Sequence, residues 1–335
     1  MYQIVKASDA EKQILFQNTA EKMNLNAAII EKDFWVVLLL EYLFHVCPWK
    51  HAFTFKGGTS LSKAYDLIHR FSEDIDLILD WRVLGYAEKE PWQFRSKTKQ
   101  EQFNKEANQR AEKFLENILL PTLKKDLSEY FNIEADVYID AEDPQTINFR
   151  YPQLFSNPSI LQVVRLEIGA LAAWSPASSV PIQSYVAEQY PKIFQKPVTE
   201  IMTVKPERTF WEKATILHHE ANRPEQSLMP MRYSRHYYDL YCMMHSNVKE
   251  LALQNIALLE KVVSFKKKFY PRNWADYDAA KSGTLKLCVP EYRLEALEKD
   301  YAQMQEMLYG NIPNFTTVMM ALKELEDEIN HVNNK

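Results

Sequence analysis

The sequence predicts an α/β (α+β) protein, with a sheet and its helices in residues 1–200 and a helical domain in residues 201–335. Three observations predict it. A strand–glycine–helix–strand succession runs from Phe53 to Asp80. Runs with apolar residues at alternate positions recur between residues 133 and 168. Beyond residue 200 the apolar spacing becomes that of amphipathic helices.

The totals bound the rest. A chain of 335 residues that is 46% hydrophobic and 25% charged can bury a full core in one large domain or two modest ones. The three cysteines, Cys47, Cys242 and Cys288, are far apart and form no C-x-x-C. No disulfide framework or zinc site is expected, and a reducing cytoplasm is the natural setting. The first residues show no signal-peptide pattern. The strongest apolar run, Phe34 to Leu40, is too short to cross a bilayer, so no membrane association is expected. The net charge of −5 excludes a globally basic nucleic-acid binder but leaves room for a local patch.

Ser8 and Asp9 precede a helical pattern over residues 8–22, and residues 24–26 read as a break. Residues 27–44 form a long, mostly buried helix that ends near Pro48. Its Glu31-Lys32-Asp33 charges are expected to be a solvated flank.

Then comes FTFKGGTSLSKAYDLIHRFSEDIDLILD, residues 53–80. An apolar strand breaks at Gly57-Gly58, a helix is expected from Ser60 to Ile68, and a second strand alternates Asp74 and Asp76 with Ile75, Leu77 and Leu79. Residues two apart on a strand share a face, which sets Asp74 beside Asp76. Two carboxylates so close repel unless a cation or proton lies between them. Such a pair suits Mg²⁺, which takes one or two carboxylates plus substrate phosphates. Gly57, Gly58, Thr59 and Ser60 at a helix start offer backbone N–H groups to an anion. A GG pair alone is most often a turn, and D-x-D alone is most often a solvated strand face. In this order, with Gly58 and Asp74 sixteen residues apart, they make the arrangement that phosphoryl or nucleotidyl transfer needs. Ser72, two positions before Asp74, would border the same site.

Residues 81–95 read as a loop and 97–130 as a charged helical stretch whose basic face is either solvated or an RNA-backbone contact. Strands are expected at 133–139, 146–151 and 161–168, with turns at Asp143-Pro144 and at residues 156–159, giving a mixed or antiparallel sheet of about five strands. In the last of these, Glu167 stands among apolar neighbours with Arg165 two positions earlier. A charge there needs a partner or a metal, so Glu167 is either a further metal carboxylate or half of an Arg165–Glu167 surface pair.

Residues 174–200, with Pro176, Pro181, Pro191 and Pro197, read as a connecting segment or loop layer. ERTFWEKATILHH, after Pro206, is helical, and Lys213 lies one position off its apolar stripe so that its ammonium can reach a cleft. On the next helix Arg232, Arg235 and Asp239 share a face beside His236, where an Arg235–Asp239 salt bridge is the simplest reading. His218, His219 and His236 lack the spacing of a zinc site. KVVSFKKKFYPR, residues 261–272, is the densest basic patch, and its aromatics suit either an RNA end or a solvated helix end. Two amphipathic helices, 291–309 and 315–330, close the chain.

KGGTSLSKAY…RFSEDIDL resembles the opening motif of the AbiEii/AbiGii toxin-family nucleotidyltransferases, which belong to the polymerase-β-like superfamily. The resemblance extends to the E-K-D-aromatic stretch, E-R-T-F-W-E-K and R-x-x-x-D-L-Y, over about residues 27–325. It implies a polymerase-β-like sheet and a helical domain that supplies further active-site residues. It also implies transfer of a nucleoside monophosphate from an NTP to an acceptor hydroxyl, with tRNA as acceptor and an antitoxin as partner. Asp74 and Asp76, joined by Glu167, would hold Mg²⁺. Gly57, Gly58, Thr59 and Ser60 would seat the triphosphate, Lys213 would neutralise it, and Asp239 would orient Lys213 or act near the acceptor, with Arg235 on the substrate side. A protein hydroxyl as acceptor, a non-catalytic NTP-binding module and a docking protein stay open.

Overall fold

The computed structural model describes residues 1–332 apart from Glu73 and Ser159. The chain divides into two compact units, Met1–Ala64 with Ser72–Thr203, and Tyr65–Phe71 with Val204–Lys335.

The first unit is built on a seven-stranded mixed sheet of order β3-β4-β5-β2-β1-β7-β6. Its strands are β1 (Phe53–Lys56), β2 (Ile75–Leu79), β3 (Asp136–Ile139), β4 (Thr146–Arg150), β5 (Val164–Gly169), β6 (Ala177–Ile182) and β7 (Thr199–Val204). β1 pairs antiparallel with β2, β2 parallel with β5, and β1 parallel with β7. Phe53, Phe55, Ile75, Leu77, Leu79, Leu166 and Ile168 are buried. They occupy one face of the central strands, since paired residues point the same way.

Helices α1 (Tyr2–Val5), α2 (Asp9–Met23), α3 (Ala27–Glu41), α4 (Gly57–Lys63), α5 (Lys97–Phe114), α6 (Leu120–Phe131) and α7 (Tyr185–Gln189) complete this unit. α2 starts on a capping box between Ser8 and Glu11. α3 starts where the Asn26 side chain accepts from the Ala28 N–H, and runs on into a π-turn, Tyr42–Val46.

Four expectations fail here. Glu31, Lys32 and Asp33 are not a solvated flank: they are 0%, 1% and 5% exposed. Glu31 accepts the N–H groups of Leu154 and Phe155 at 2.7 and 3.1 Å, and Lys32 donates to the Leu161 carbonyl at 2.8 Å. Asp33 accepts the Tyr185 N–H at 2.7 Å. A buried charge is tolerable only with such partners, and those of Glu31 and Lys32 come from a loop more than 120 residues onward. Residues 174–200 are not a connecting segment either, because they hold β6, α7 and the start of β7. Pro181 sits within β6, an edge strand, which is where a sheet tolerates proline. The sheet therefore has seven strands, not about five. Finally, the helix after the glycine pair begins at Gly57 and ends at Lys63, short of Ile68.

The second unit is helical: α8 (Pro206–Ala221), α9 (Ser234–Met244), α10 (Val248–Leu253), α11 (Ile256–Phe269), α12 (Glu291–Met304) and α13 (Phe315–His331). Tyr65–Phe71 joins it through a backbone bridge between Arg70 and Leu308, flanked by Phe71 N–H to Met307 O at 2.8 Å and Tyr309 N–H to His69 O at 3.0 Å. The basic, aromatic stretch at 261–272 splits by face. Phe265 and Phe269 are buried with ring centroids 4.7 Å apart, while Tyr270 is half exposed. Two of its three aromatics thus serve the core. No helix among the described residues is long and apolar enough to cross a membrane.

Candidate functional site

β1 ends at Lys56 and the chain turns at Gly57, whose φ of +81° falls in the region that favours glycine. A Cβ added there would overlap the Asp76 carboxylate, so the glycine turn and Asp76 are in direct apposition. Gly58, Thr59 and Ser60 are buried in the first turn of α4. The hydroxyls of Thr59 and Ser60 hold this turn together. Ser60 donates to the Gly57 carbonyl at 2.8 Å, and Thr59 donates to the Asp74 carbonyl at 2.5 Å. Ser72 lies outside the strand, half-buried, with its hydroxyl 2.9 Å from that of Thr59.

Asp76 lies in register with Lys56 on one side and Glu167 on the other. Adjacent strands are about 4.8 Å apart and register partners share a face, so Asp76 and Glu167 stand side by side. Asp74 precedes β2, which begins at Ile75. Arg165 reaches three carboxylates, at 3.8 Å from Asp74, 3.6 Å from Glu167 and 3.3 Å from Asp140. The expected Arg165–Glu167 pair is therefore present, but as part of a larger group. Asp140 carried no signal in the sequence. It precedes a turn, where it accepts from the Asn148 amide and the Glu142 N–H, and these bonds hold its carboxyl below the usual range.

Among the described residues, no three carboxylate, imidazole or thiol groups gather closely enough to cage a cation. The donor set does fit Mg²⁺ in the mode that completes its shell with substrate phosphates. Oxygen ligands from one or two carboxylates suffice there, and Asp76 with Glu167 supplies them, with Asp74 at the edge.

In the second unit Asp239 on α9 is fully buried and takes two cations. Arg70 donates through Nε at 2.7 Å and a terminal nitrogen at 3.0 Å, and Lys213 Nζ donates at 2.7 Å. The Lys213 ammonium also lies 3.1 Å from His236 Nδ1. Burial by itself would raise the Asp239 pKa, but Arg70 and Lys213 outweigh it and hold the carboxyl well below the usual range. Burial lowers the pKa of Lys213, and Asp239 opposes that. Burial and then Lys213 push His236 far down, so its ring is neutral and Nδ1 accepts from the ammonium.

The simplest expectation for this helix, an Arg235–Asp239 bridge, is replaced. Both Asp239 oxygens go to Arg70 and Lys213, and Arg235 lies on the exposed side. Lys213 is buried with its ammonium on Asp239, rather than turned to an open cleft. Arg70 was missed although it opens the RFSEDIDL half of the first motif, because its partner Asp239 lies 169 residues onward. His218 and His219 have other partners. His218 bridges the Asp276 carbonyl and the Lys286 N–H, and His219 Nε2 lies 2.5 Å from the Tyr233 hydroxyl.

A model of the family described as nucleotidyl transferase AbiEii toxin, type IV TA system, matches residues 39–324. Among solved structures, MenT4, a nucleotidyltransferase toxin from Mycobacterium tuberculosis H37Rv, is similar at 18% identity and a TM-score of 0.44, over 95% of this chain and 99% of that one. No curated protein matches the sequence.

Proposed function

We propose, from the premise that this chain belongs to the AbiEii family of nucleotidyl transferase toxins of type IV toxin–antitoxin systems, that it moves a nucleoside monophosphate from an NTP to a hydroxyl of tRNA. The acceptor hydroxyl oxygen bonds to the α-phosphorus and gives up its proton to water, the bond from that phosphorus to the oxygen bridging to the β-phosphate breaks, and pyrophosphate leaves with its electron pair. A cognate antitoxin opposes this activity. The observation that carries the reading is the apposition of Gly57 and Asp76, with Glu167 in register beside Asp76. A glycine turn at a helix start and a carboxylate pair lie together at one end of the sheet, which supports reading them as an anion seat and a cation site.

The proposed roles follow from that arrangement. Asp74, Asp76 and Glu167 are the residues that would hold Mg²⁺. When bound, the ion offsets the negative charge of the phosphates. The backbone N–H groups of Gly57, Gly58 and Thr59 seat the triphosphate, with the Thr59 and Ser60 hydroxyls and Ser72 keeping the turn in shape. Arg165 spreads its charge over Asp74, Glu167 and Asp140, which limits their mutual repulsion before substrate arrives. Asp239 fixes the Lys213 ammonium in direction, with His236 as second acceptor, so the role of this cluster is to hold the helical unit in shape. Arg235, exposed one turn before Asp239, is available to the acceptor backbone.

The test supplies each labelled NTP with Mg²⁺, total tRNA and total protein to the purified chain. Label in RNA supports the reading, label in protein moves the acceptor to a protein hydroxyl, and absence of label from both overturns it.

A further inference from the structure

The overturned expectation about residues 31–33 leads to a role. α4 has seven residues, about 10 Å of helix at ~1.5 Å per residue. A helix so short is not stable alone, so its direction is set by what holds its two ends. The first turn is tied to Ser72 and Asp74 through Thr59. The last residue, Lys63, is held from elsewhere in the same unit. Its ammonium lies 2.8 Å from Asp33 Oδ1, 3.7 Å from the centre of the Tyr185 ring and 3.9 Å from Glu188, and its side chain is only 6% exposed. Asp33 uses its other oxygen on the Tyr185 N–H at 2.7 Å. One carboxylate thus joins α3, the end of α4 and the start of α7.

We propose that Asp33 and Lys63 are positioning residues for nucleotide binding: the buried pair fixes the far end of α4 and thereby aims its first turn, Gly57–Thr59, at the triphosphate. This rests on the reading that the turn seats the nucleotide. Stability is a poor reason for such a pair, because well-packed apolar residues in place of a buried ion pair are often neutral or stabilising. What a charge pair adds is direction, since the ammonium has one low-energy place among carboxylate, ring and carboxylate. A cation at the C-terminal end of α4 is also favoured by the helix dipole.

The test measures KM for NTP, kcat and Tm for Lys63→Met, Lys63→Arg, Asp33→Asn and the Asp33→Asn/Lys63→Met double variant. Tyr42→Phe, which removes the Tyr42–Asp126 hydrogen bond in the same unit, serves as a control for general loosening. Lys63→Met should raise KM for NTP by about fivefold or more with a smaller change in kcat, and Lys63→Arg should return KM to within about twofold of wild type. The double variant, free of any lone buried charge, should regain Tm while KM stays raised. Tyr42→Phe should lower Tm and leave KM alone.

A double variant with recovered Tm and a wild-type KM would overturn the positioning role. So would a KM that rises equally in Tyr42→Phe. Gly57→Ala and Asp76→Ala belong in the same series. If both keep wild-type kinetics, the nucleotide reading itself fails; if they lose activity while folded Lys63 variants keep a wild-type KM, only the positioning role fails.

Discussion

Asp74 and Glu167 keep 33% and 40% of their side chains exposed, whereas Asp239 keeps none. At the first location Asp74, Glu167 and Asp140 share the Arg165 guanidinium at 3.3 Å or more. At the second, one carboxylate is held by two cations at 2.7 Å. The first arrangement carries surplus negative charge in reach of water, which stores repulsion and attracts a cation. The second is closed and over-neutralised, and its contacts fix geometry. On the proposed function, removing an open carboxylate should cost folding little and transfer much, while removing Asp239 should cost folding first.

The largest expected effect falls on the open carboxylates. Asp76→Ala should lower nucleotide transfer by about 1,000-fold or more, since losing charge stabilisation worth several kcal/mol costs a factor of ten for each ~1.4 kcal/mol. Its Tm should stay level or rise slightly, because a like-charge neighbour has gone. A rate within tenfold of wild type in single-turnover assays would break the comparison.

Asp239→Ala should do the opposite to folding. Removing it strands Arg70 and Lys213 as buried cations, a loss of about 3–5 kcal/mol, readable by urea denaturation. The sign of its pH dependence follows. Its folded pKa lies below the ordinary value of 3.8, so its contribution is full above about pH 4 and fades as the pH falls. Wild-type stability in the variant would show that the cluster is not the closed device described.

Gly57→Ala is a smaller test at the boundary of the two behaviours. The left-handed backbone should cost about 1–2 kcal/mol, and the new Cβ displaces Asp76, so KM for NTP should rise with it. Unchanged KM in a destabilised variant would separate the turn from the nucleotide.

The smallest effect concerns Glu31. Burial pushes its carboxyl up to about 7, against the two N–H bonds that lower it. The raised folded value means its contribution favours the fold below the unfolded pKa, and fades as pH climbs from about 4.5 to about 7. Glu31→Gln should flatten that part of the Tm–pH profile relative to wild type. Two superimposable profiles would contradict it.

Much of the candidate site was legible because it is local. Gly57, Gly58, Asp74 and Asp76 lie within one strand–turn–strand passage, where periodicity of two and the need for a positive φ leave signals in a short window. Glu167 was legible as a charge in an apolar run, though not its register with Asp76. The remainder depends on distant partners. Nothing near Glu31, Lys32 or Asp33 announces the backbone of Leu154, Phe155 and Leu161 or the Lys63 ammonium, so three charges in a row read as solvent-facing. Arg70 and Asp239 meet across 169 residues, a pairing no helical spacing encodes. β6 was hidden by Pro181, and β7 by a boundary drawn inside it at residue 200.

The central claim is that the open carboxylates receive a nucleotide together with its cation, and ligand-dependent thermal stability tests it most directly. Ligand that binds only the folded state raises stability by about 2.7 kcal/mol at a hundredfold excess over Kd. The account predicts that Tm rises with NTP and Mg²⁺ together, rises little with either alone, and does not respond in Asp76→Ala. A Tm unmoved by every NTP–Mg²⁺ combination, or raised equally in Asp76→Ala, would contradict it.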